Sequence, residues 1–212
     1  DNWKKCPNCQ NKIHELGLVS DEHATAEQRL QSYVTSRMQA FLATKGKKLI
    51  GWDEILEGDL GEGATVMSWR GTKGGIEASN RGFDVIMTPT TYCYFDYCQD
   101  PRRQESDEPI CAFWGDLTFE KVYSFNPTEG LSKEAASHIL GAQANVWTEY
   151  IPTNEQLEYM IMPRLFSLSE VQWSELGNKD FKKFSYRVHT WGFDMLRLKD
   201  FNFRNKPATP QE

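Results

Sequence analysis

Lys48-Leu49-Ile50-Gly51-Trp52-Asp53-Glu54 is a short apolar run that closes on an indole and two carboxylates. Bounded by glycines and too short for a helix, it reads as a buried strand of a parallel sheet. Two further segments have the same format: Thr65-Val66-Met67-Ser68-Trp69-Arg70, and Ile139-Leu140-Gly141-Ala142-Gln143-Ala144-Asn145-Val146-Trp147-Thr148-Glu149. Each is an apolar run that ends in tryptophan beside a charged residue. Trp52, Trp69 and Trp147 are therefore expected at the ends of three strands.

Working outward, residues 24 to 45 place Leu30, Val34, Met38, Phe41 and Leu42 near the i, i+4 rhythm of a helix with one buried face, and Gly46 stops it. Ala64 to Trp69 is the second strand, after the turn-rich Gly61-Glu62-Gly63. Gly74 to Arg81 is a short helix, and Phe83-Asp84-Val85-Ile86-Met87 is a third strand ended by Thr88-Pro89. Tyr92 to Leu131 has little periodicity and exceeds an ordinary connection, the kind of loop that commonly carries function. Ser132 caps a helix through Ala136, and Ile139 to Trp147 is the fourth strand. Asn154 opens a helix to about Leu168 with a kink at Pro163, and residues 179 to 198 form a last helix.

Strands alternating with helices define an α/β fold. Four parallel strands of this kind amount to half of a (β/α)8 TIM barrel, in which the active site gathers at the C-terminal ends of the strands. The expected organisation is one partial barrel over residues 1–200 with a trailing C-terminal helix, and a loose tail over 201–212.

Composition narrows the partners. At 212 residues and 39% hydrophobic the chain can bury one substantial core. Its net charge of −6, with dispersed basic residues, offers no face for phosphates, so nucleic acid is not an expected partner. No apolar stretch approaches the roughly 20 residues that cross a bilayer, and Asp1-Asn2-Trp3-Lys4-Lys5 lacks a signal-peptide core. Cysteines 6, 9, 93, 98 and 111 form an odd set, which argues against a disulfide scaffold. Cys6-Pro7-Asn8-Cys9 has the spacing of half a zinc knuckle, with only His14 and His23 nearby, and reads instead as a helix-leading turn. Cys93 and Cys98 read as packing or adventitious thiols, and neither a metal nor a cofactor is expected.

The strand-end residues suggest sugar chemistry. Sugars present apolar C–H faces and hydroxyl edges, and indole rings with a few carboxylates match both. Strand alternation puts Glu149 on the same side as Trp147, and Asp96 on the same side as Tyr94. It puts Asp53 and Glu54 on opposite faces, so that at most one points into a pocket. Arg70, Arg164 and Glu170 are read as ion pairs that hold the fold, and the four histidines as surface or packing residues.

Several motifs, in order, resemble the catalytic barrel of the family 20 β-N-acetylhexosaminidases. They are Gly51-Trp52-Asp53-Glu54-Ile55-Leu56-Glu57-Gly58, Met67-Ser68-Trp69-Arg70-Gly71, Tyr94-Phe95-Asp96, Gly141 to Tyr150, and Pro163-Arg164-Leu165-Phe166-Ser167-Leu168-Ser169-Glu170. The resemblance runs from about Trp3 to Trp173 and implies strands five to eight of the barrel. It also implies a retaining mechanism in which the substrate's own 2-acetamido oxygen attacks C1 to give an oxazolinium ion. On that pattern Tyr94 donates to the acetamide oxygen, Trp52, Trp69 and Trp147 wall the acetamide and ring, and Asp96 and Glu149 bind sugar hydroxyls. The family's Asp-Glu pair, in a His-x-Gly-Gly-Asp-Glu motif after the fourth strand, is absent from this sequence, as is the arginine of the first strand.

The expectation is therefore a fragment of an exo-β-N-acetylhexosaminidase acting on glycans that end in N-acetylglucosamine or N-acetylgalactosamine, inactive alone because its general acid is missing. Its partner would be the N-terminal half of the barrel, or a second copy joined through exposed strand edges. A parent of this family is expected in the periplasm or outside the cell. The rival readings are a non-catalytic carbohydrate-binding or scaffold protein, a glycosidase using Glu54 and Glu149 as a carboxylate pair, and a zinc module on Cys6 and Cys9.

Overall fold

The computed structural model describes residues 2–102 and 108–205. In chain order the elements are α1 (Asn2–Lys5), α2 (Pro7–Glu15), α3 (Ala26–Ala43), β1 (Ile50–Trp52), β2 (Thr65–Ser68), α4 (Lys73–Asn80) and β3 (Asp84–Met87). There follow α5 (Thr90–Cys93), β4 (Tyr97–Cys98), β5 (Ala112–Asp116), α6 (Phe119–Tyr123), α7 (Lys133–Ala136) and β6 (Ile139–Ala142). The last helices are α8 (Asn154–Ile161), α9 (Arg164–Trp173), α10 (Phe181–Arg187) and α11 (Phe193–Leu198). These elements form two compact units, one of residues 1–87 with 130–140 and the other of 88–129 with 141–212.

The first unit is built on the parallel sheet, ordered β1-β2-β3-β6. Register is direct: Ile50, Gly51 and Trp52 face Thr65, Val66 and Met67, and Thr65 to Ser68 face Asp84 to Met87. Val66, Val85 and Met87 are buried, as the continuous apolar runs require of strands covered on both faces. Small residues let helices close onto the sheet. A Cβ on Gly75 of α4 would stand 2.6 Å from the Met87 sulfur, and one on Gly51 would stand 2.8 Å from Ile55. A capping box starts α3, where Gln28 N–H donates to the Thr25 hydroxyl and Thr25 N–H to the Gln28 side chain. Gly46, in the left-handed region at φ 64°, follows its end.

Helix α3 departs from the expected single buried face. Leu30 is buried, but Val34, Met38 and Phe41 are 44%, 50% and 57% exposed. Periodicity predicts an apolar stripe; it does not supply the surface that covers it.

In the second unit the core is aromatic. Phe119 and Tyr123 of α6 stack on Phe184 of α10, with centroids 5.3 and 4.8 Å apart, and Val188, Phe193 and Leu196 complete the cluster. Each such side chain contributes roughly 1.5–3 kcal/mol by leaving water.

Four expectations are corrected here. The stretch read as an aperiodic loop from Tyr92 contains β4, β5 and α6, with Cys98 bonded to Cys111, so Cys98 is neither a packing nor an adventitious thiol. Cys93 does pack as a thiol, buried, and burial pushes its pKa up to about 12. The fourth strand stops at Ala142 rather than Trp147. The helix expected from Asn154 to Leu168 is two helices, α8 and α9, divided at Met162-Pro163, where α8 ends in an extended residue. Residues 201–205, placed in the loose tail, are described and anchored: Arg204 is buried, donating to Glu108 and Asp100 at 2.8 Å each. Residues 206–212 lie outside the described residues.

Candidate active site

In the first unit the Asp53-Glu54 pair, which starts a 3-10 turn, Asp53–Leu56, directly after β1, holds the segment that carries Trp69. Trp52 precedes that turn and is half-buried. Asp53 is buried and accepts from the Trp69 and Arg70 amides at 2.9 and 3.1 Å and from Arg70 Nε at 2.6 Å. It is structural. Glu54 has a use that strand alternation missed: both of its carboxylate oxygens accept from the Trp69 indole N–H, at 3.1 and 3.0 Å. Arg70 also pairs with Glu57, so the ion-pair reading of this arginine holds. The buried Ser68 hydroxyl, donating to Gly71 O and accepting from the Gly75 amide, fixes the loop that carries Trp69.

In the second unit Tyr94, Asp96, Trp147 and Glu149 are neighbours. Extended backbone at Tyr94 bridges Asn145 in parallel, with Phe95 N–H donating to Asn145 O and Asn145 N–H to Cys93 O. This brings the Tyr94 and Trp147 rings to 6.4 Å between centroids. Trp147 and Glu149 are not on a strand: Trp147 caps a 3-10 turn, Thr148–Tyr150, so their placement rests on the Asn145 bridge and not on alternation. Trp147 is 46% exposed and Glu149 is exposed, whereas Tyr94 and Asp96 are only 8% and 4% exposed.

Burial dominates the electrostatics. It raises the Tyr94 pKa, with the Asp96 charge adding to it against a hydrogen bond from Trp147, so the phenol keeps its proton at neutral pH and can donate it. Burial also pushes Asp96 up to about 6, reinforced by the Glu149 charge and opposed by the cation of Arg164. Asp96 Oδ1 is buried without a hydrogen-bond partner, a position that a ligand hydroxyl can satisfy.

Arg164 is corrected from an ion-pair residue to a carbonyl clamp. Fully buried at the start of α9, it donates to the carbonyls of Phe95, Tyr97, Leu117 and Met160, and its guanidinium lies 4.8 Å over the Phe95 ring. Burial lowers its pKa to about 9, which leaves it cationic at neutral pH. It thereby fixes the backbone on either side of Asp96. Glu170 pairs instead with Arg187 at 2.9 Å.

The sequence reading missed an aromatic group beside Tyr150. Phe113 and Trp114 on β5 are 62% and 57% exposed, and the Tyr150 ring stands edge-on to both at 6.0 and 6.3 Å. The adjacent Phe-Trp pair was the available signal; it lies within the stretch read as aperiodic.

The first unit, with its parallel sheet flanked by helices, makes this an α/β protein. Residues 1–176 match glycosyl hydrolase family 20, catalytic domain, and the chain belongs to that family. It is 45% identical over 191 residues to a beta-hexosaminidase of Porphyromonas gingivalis, covering 89% of this chain and 23% of that protein. A solved exo beta-N-acetylglucosaminidase from Vibrio harveyi, in complex with N-acetylglucosamine, superposes with a TM-score of 0.83 at 28% identity, covering 98% of this chain and 31% of that one. An N-acetyl-beta-hexosaminidase of Streptomyces plicatus gives 0.74 at 25% identity, covering 85% and 37%. The chain thus spans less than half the length of these relatives.

Proposed function

We propose that this chain is the C-terminal half, about strands five to eight, of the (β/α)8 barrel of an exo-β-N-acetylhexosaminidase, with residues 1–200 as the barrel portion. The observation that carries the site reading is the buried, unpartnered Asp96 Oδ1 beside Tyr94, Trp147 and Glu149. Asp96 and Glu149 accept from sugar hydroxyls. Tyr94, held protonated by burial, donates to the acetamide oxygen and orients it for attack on C1. The family pattern assigns Trp52, Trp69 and Trp147 to the sugar, and within the first unit Glu54 fixes the rotamer of Trp69. The substrates are glycans that end in N-acetylglucosamine or N-acetylgalactosamine, cleaved with retention through an oxazolinium ion.

The reading makes the other half of the barrel the natural partner, with a second copy as the alternative. Its support is that β1 and β6 are the outer strands of the sheet, with Ile50 and Leu140 55% and 61% exposed. The parent acts in the periplasm or outside the cell, where terminal glycans are met. Because this sequence lacks the family's Asp-Glu pair, we expect no turnover of an aryl N-acetylglucosaminide by the 212-residue chain alone, general acid catalysis being worth about 10²–10⁴-fold. The test compares that chain with a polypeptide joining it to a family 20 N-terminal half. Turnover only by the joined form, reduced about 10²-fold or more in Tyr94→Phe, is the expected result. Turnover by the chain alone, or an unimpaired Tyr94→Phe variant, overturns the proposal.

A further inference from the structure

Cys6 and Cys9 belong to none of the chemistry above, and their placement is specific. Cys6 is the N-cap of α2, with extended backbone at φ −84° and ψ 116°, Pro7 opens the helix, and Cys9 stands one turn on. The i, i+3 relation puts the two side chains on one face, about 5–6 Å apart at Cβ, and a disulfide needs about 3.5–4.5 Å, so the first turn must tighten by about 1–2 Å to close the bond. The local backbone is already fixed. Gln10 N–H donates to Cys6 O at 3.0 Å, Cys6 N–H reaches Trp3 O at 3.4 Å, and the Gln10 side chain ties this turn to Trp3 O and Glu27. Both sulfurs are free thiols on half-buried residues, in contrast to the buried Cys93.

The two thiols are also made unequal. No hydrogen bond of ordinary geometry caps α2 through the Cys6 side chain, yet the Cys9 amide and thiol, with the Asn8 amide, lower the Cys6 pKa. The same pairing raises that of Cys9. Unsatisfied N–H groups at a helix start favour a thiolate, and the preceding Lys4 and Lys5 add positive charge. Among the described residues no third His, Cys, Asp or Glu joins the pair in a metal-binding group.

We propose that Cys6 and Cys9 form a thiol–disulfide exchange site, with Cys6 as the attacking sulfur, Cys9 as the resolving sulfur, and a small-molecule disulfide as co-reactant. The Cys6 thiolate attacks one sulfur of the disulfide RSSR, breaking its S–S bond, forming a mixed disulfide and expelling one thiolate RS⁻. Cys9 then gives up its proton and attacks the Cys6 sulfur, expelling the second RS⁻. Two protein thiols are oxidised to one internal disulfide, and one RSSR is reduced to two thiols, a balanced two-electron exchange. The internal disulfide closes the first turn of α2, so the site reports on the thiol poise of its surroundings independently of the sugar chemistry.

The test uses the intact 212-residue chain with 5,5′-dithiobis(2-nitrobenzoate) as the probe. The expected result is two equivalents of aryl thiolate released, with an internal Cys6–Cys9 bond in the tryptic peptide, lighter by two hydrogens and reopened by dithiothreitol. Cys9→Ser should stop at a stable mixed disulfide on Cys6, and Cys6→Ser should react at least about tenfold more slowly. Stable probe adducts on both cysteines of the unmodified chain, equal rates for the two variants, or a bound zinc ion that must be removed before either thiol reacts would each overturn the proposal. The peptide mapping needs no variant and stands even if one of them folds poorly.

Discussion

Replacing Asp96 by Asn should make the protein more stable at neutral pH, because the wild-type carboxylate is buried beside the Glu149 charge. The wild-type carboxyl is 4% exposed, one of its oxygens has no hydrogen-bond partner, and its pKa rises from 3.8 to about 6. A folded-state pKa above the unfolded one means that the native protein binds the extra proton. That linkage favours folding fully below about pH 3.8 and is lost as the pH climbs through about 6. Above pH 6 the charged carboxylate therefore costs an upper bound of about 3 kcal/mol, at about 1.4 kcal/mol per pH unit. Asn keeps the shape and cannot ionise. Urea midpoints followed by tryptophan fluorescence from pH 3.5 to 8 should diverge: the wild type loses stability between about pH 4 and 6 relative to Asp96→Asn, and the variant leads by about 1–3 kcal/mol at pH 8. Parallel curves, or a variant weaker than the wild type above pH 6, would show that burial of this carboxylate is not what the structure implies. The same substitution should cost the joined enzyme activity, because the proposal assigns the unpartnered Asp96 Oδ1 to a sugar hydroxyl.

Asp53→Ala should lower stability by about 3 kcal/mol or more, since it removes the acceptor of two amides and the Arg70 Nε and leaves a cation beside them. The urea midpoint reads this, and a loss under about 1 kcal/mol would mean that Arg70 finds Glu57 sufficient. Cys111→Ser opens the link to Cys98 across a sequence separation of 13. The chain-entropy cost for such a loop is about 3 kcal/mol, and a thermal melt that does not move on substitution would argue that the closed loop is not restrained in the unfolded chain.

The particular elements show where sequence reasoning reached its limit. Three apolar runs, at Ile50, Thr65 and Asp84, became parallel strands almost at their predicted bounds, because a short apolar segment between turn residues has few other ways to satisfy its backbone and bury its side chains. Ser132 capped the helix it was expected to cap. The fourth apolar run behaved differently beyond Ala142: Gly141 sits at φ 150° and Asn145 pairs with Tyr94 instead of continuing the strand. That bridge, and not side-chain alternation, sets Trp147 and Glu149 near Tyr94 and Asp96.

Sequence by itself determined the α/β class, the strand segments, the acidic and aromatic candidates and the family motifs, because periodicity, turn residues and motif order are properties of neighbouring positions. Tertiary structure alone decided that Asp53 is a structural acceptor while Glu54 holds the Trp69 indole, that Arg164 clamps four carbonyls, that Cys98 joins Cys111, and that the apolar stripe of α3 is largely uncovered. Those outcomes depend on which groups, distant in the chain, arrive within hydrogen-bond or covalent reach and on how much water they exclude. Local pattern carries no information about either.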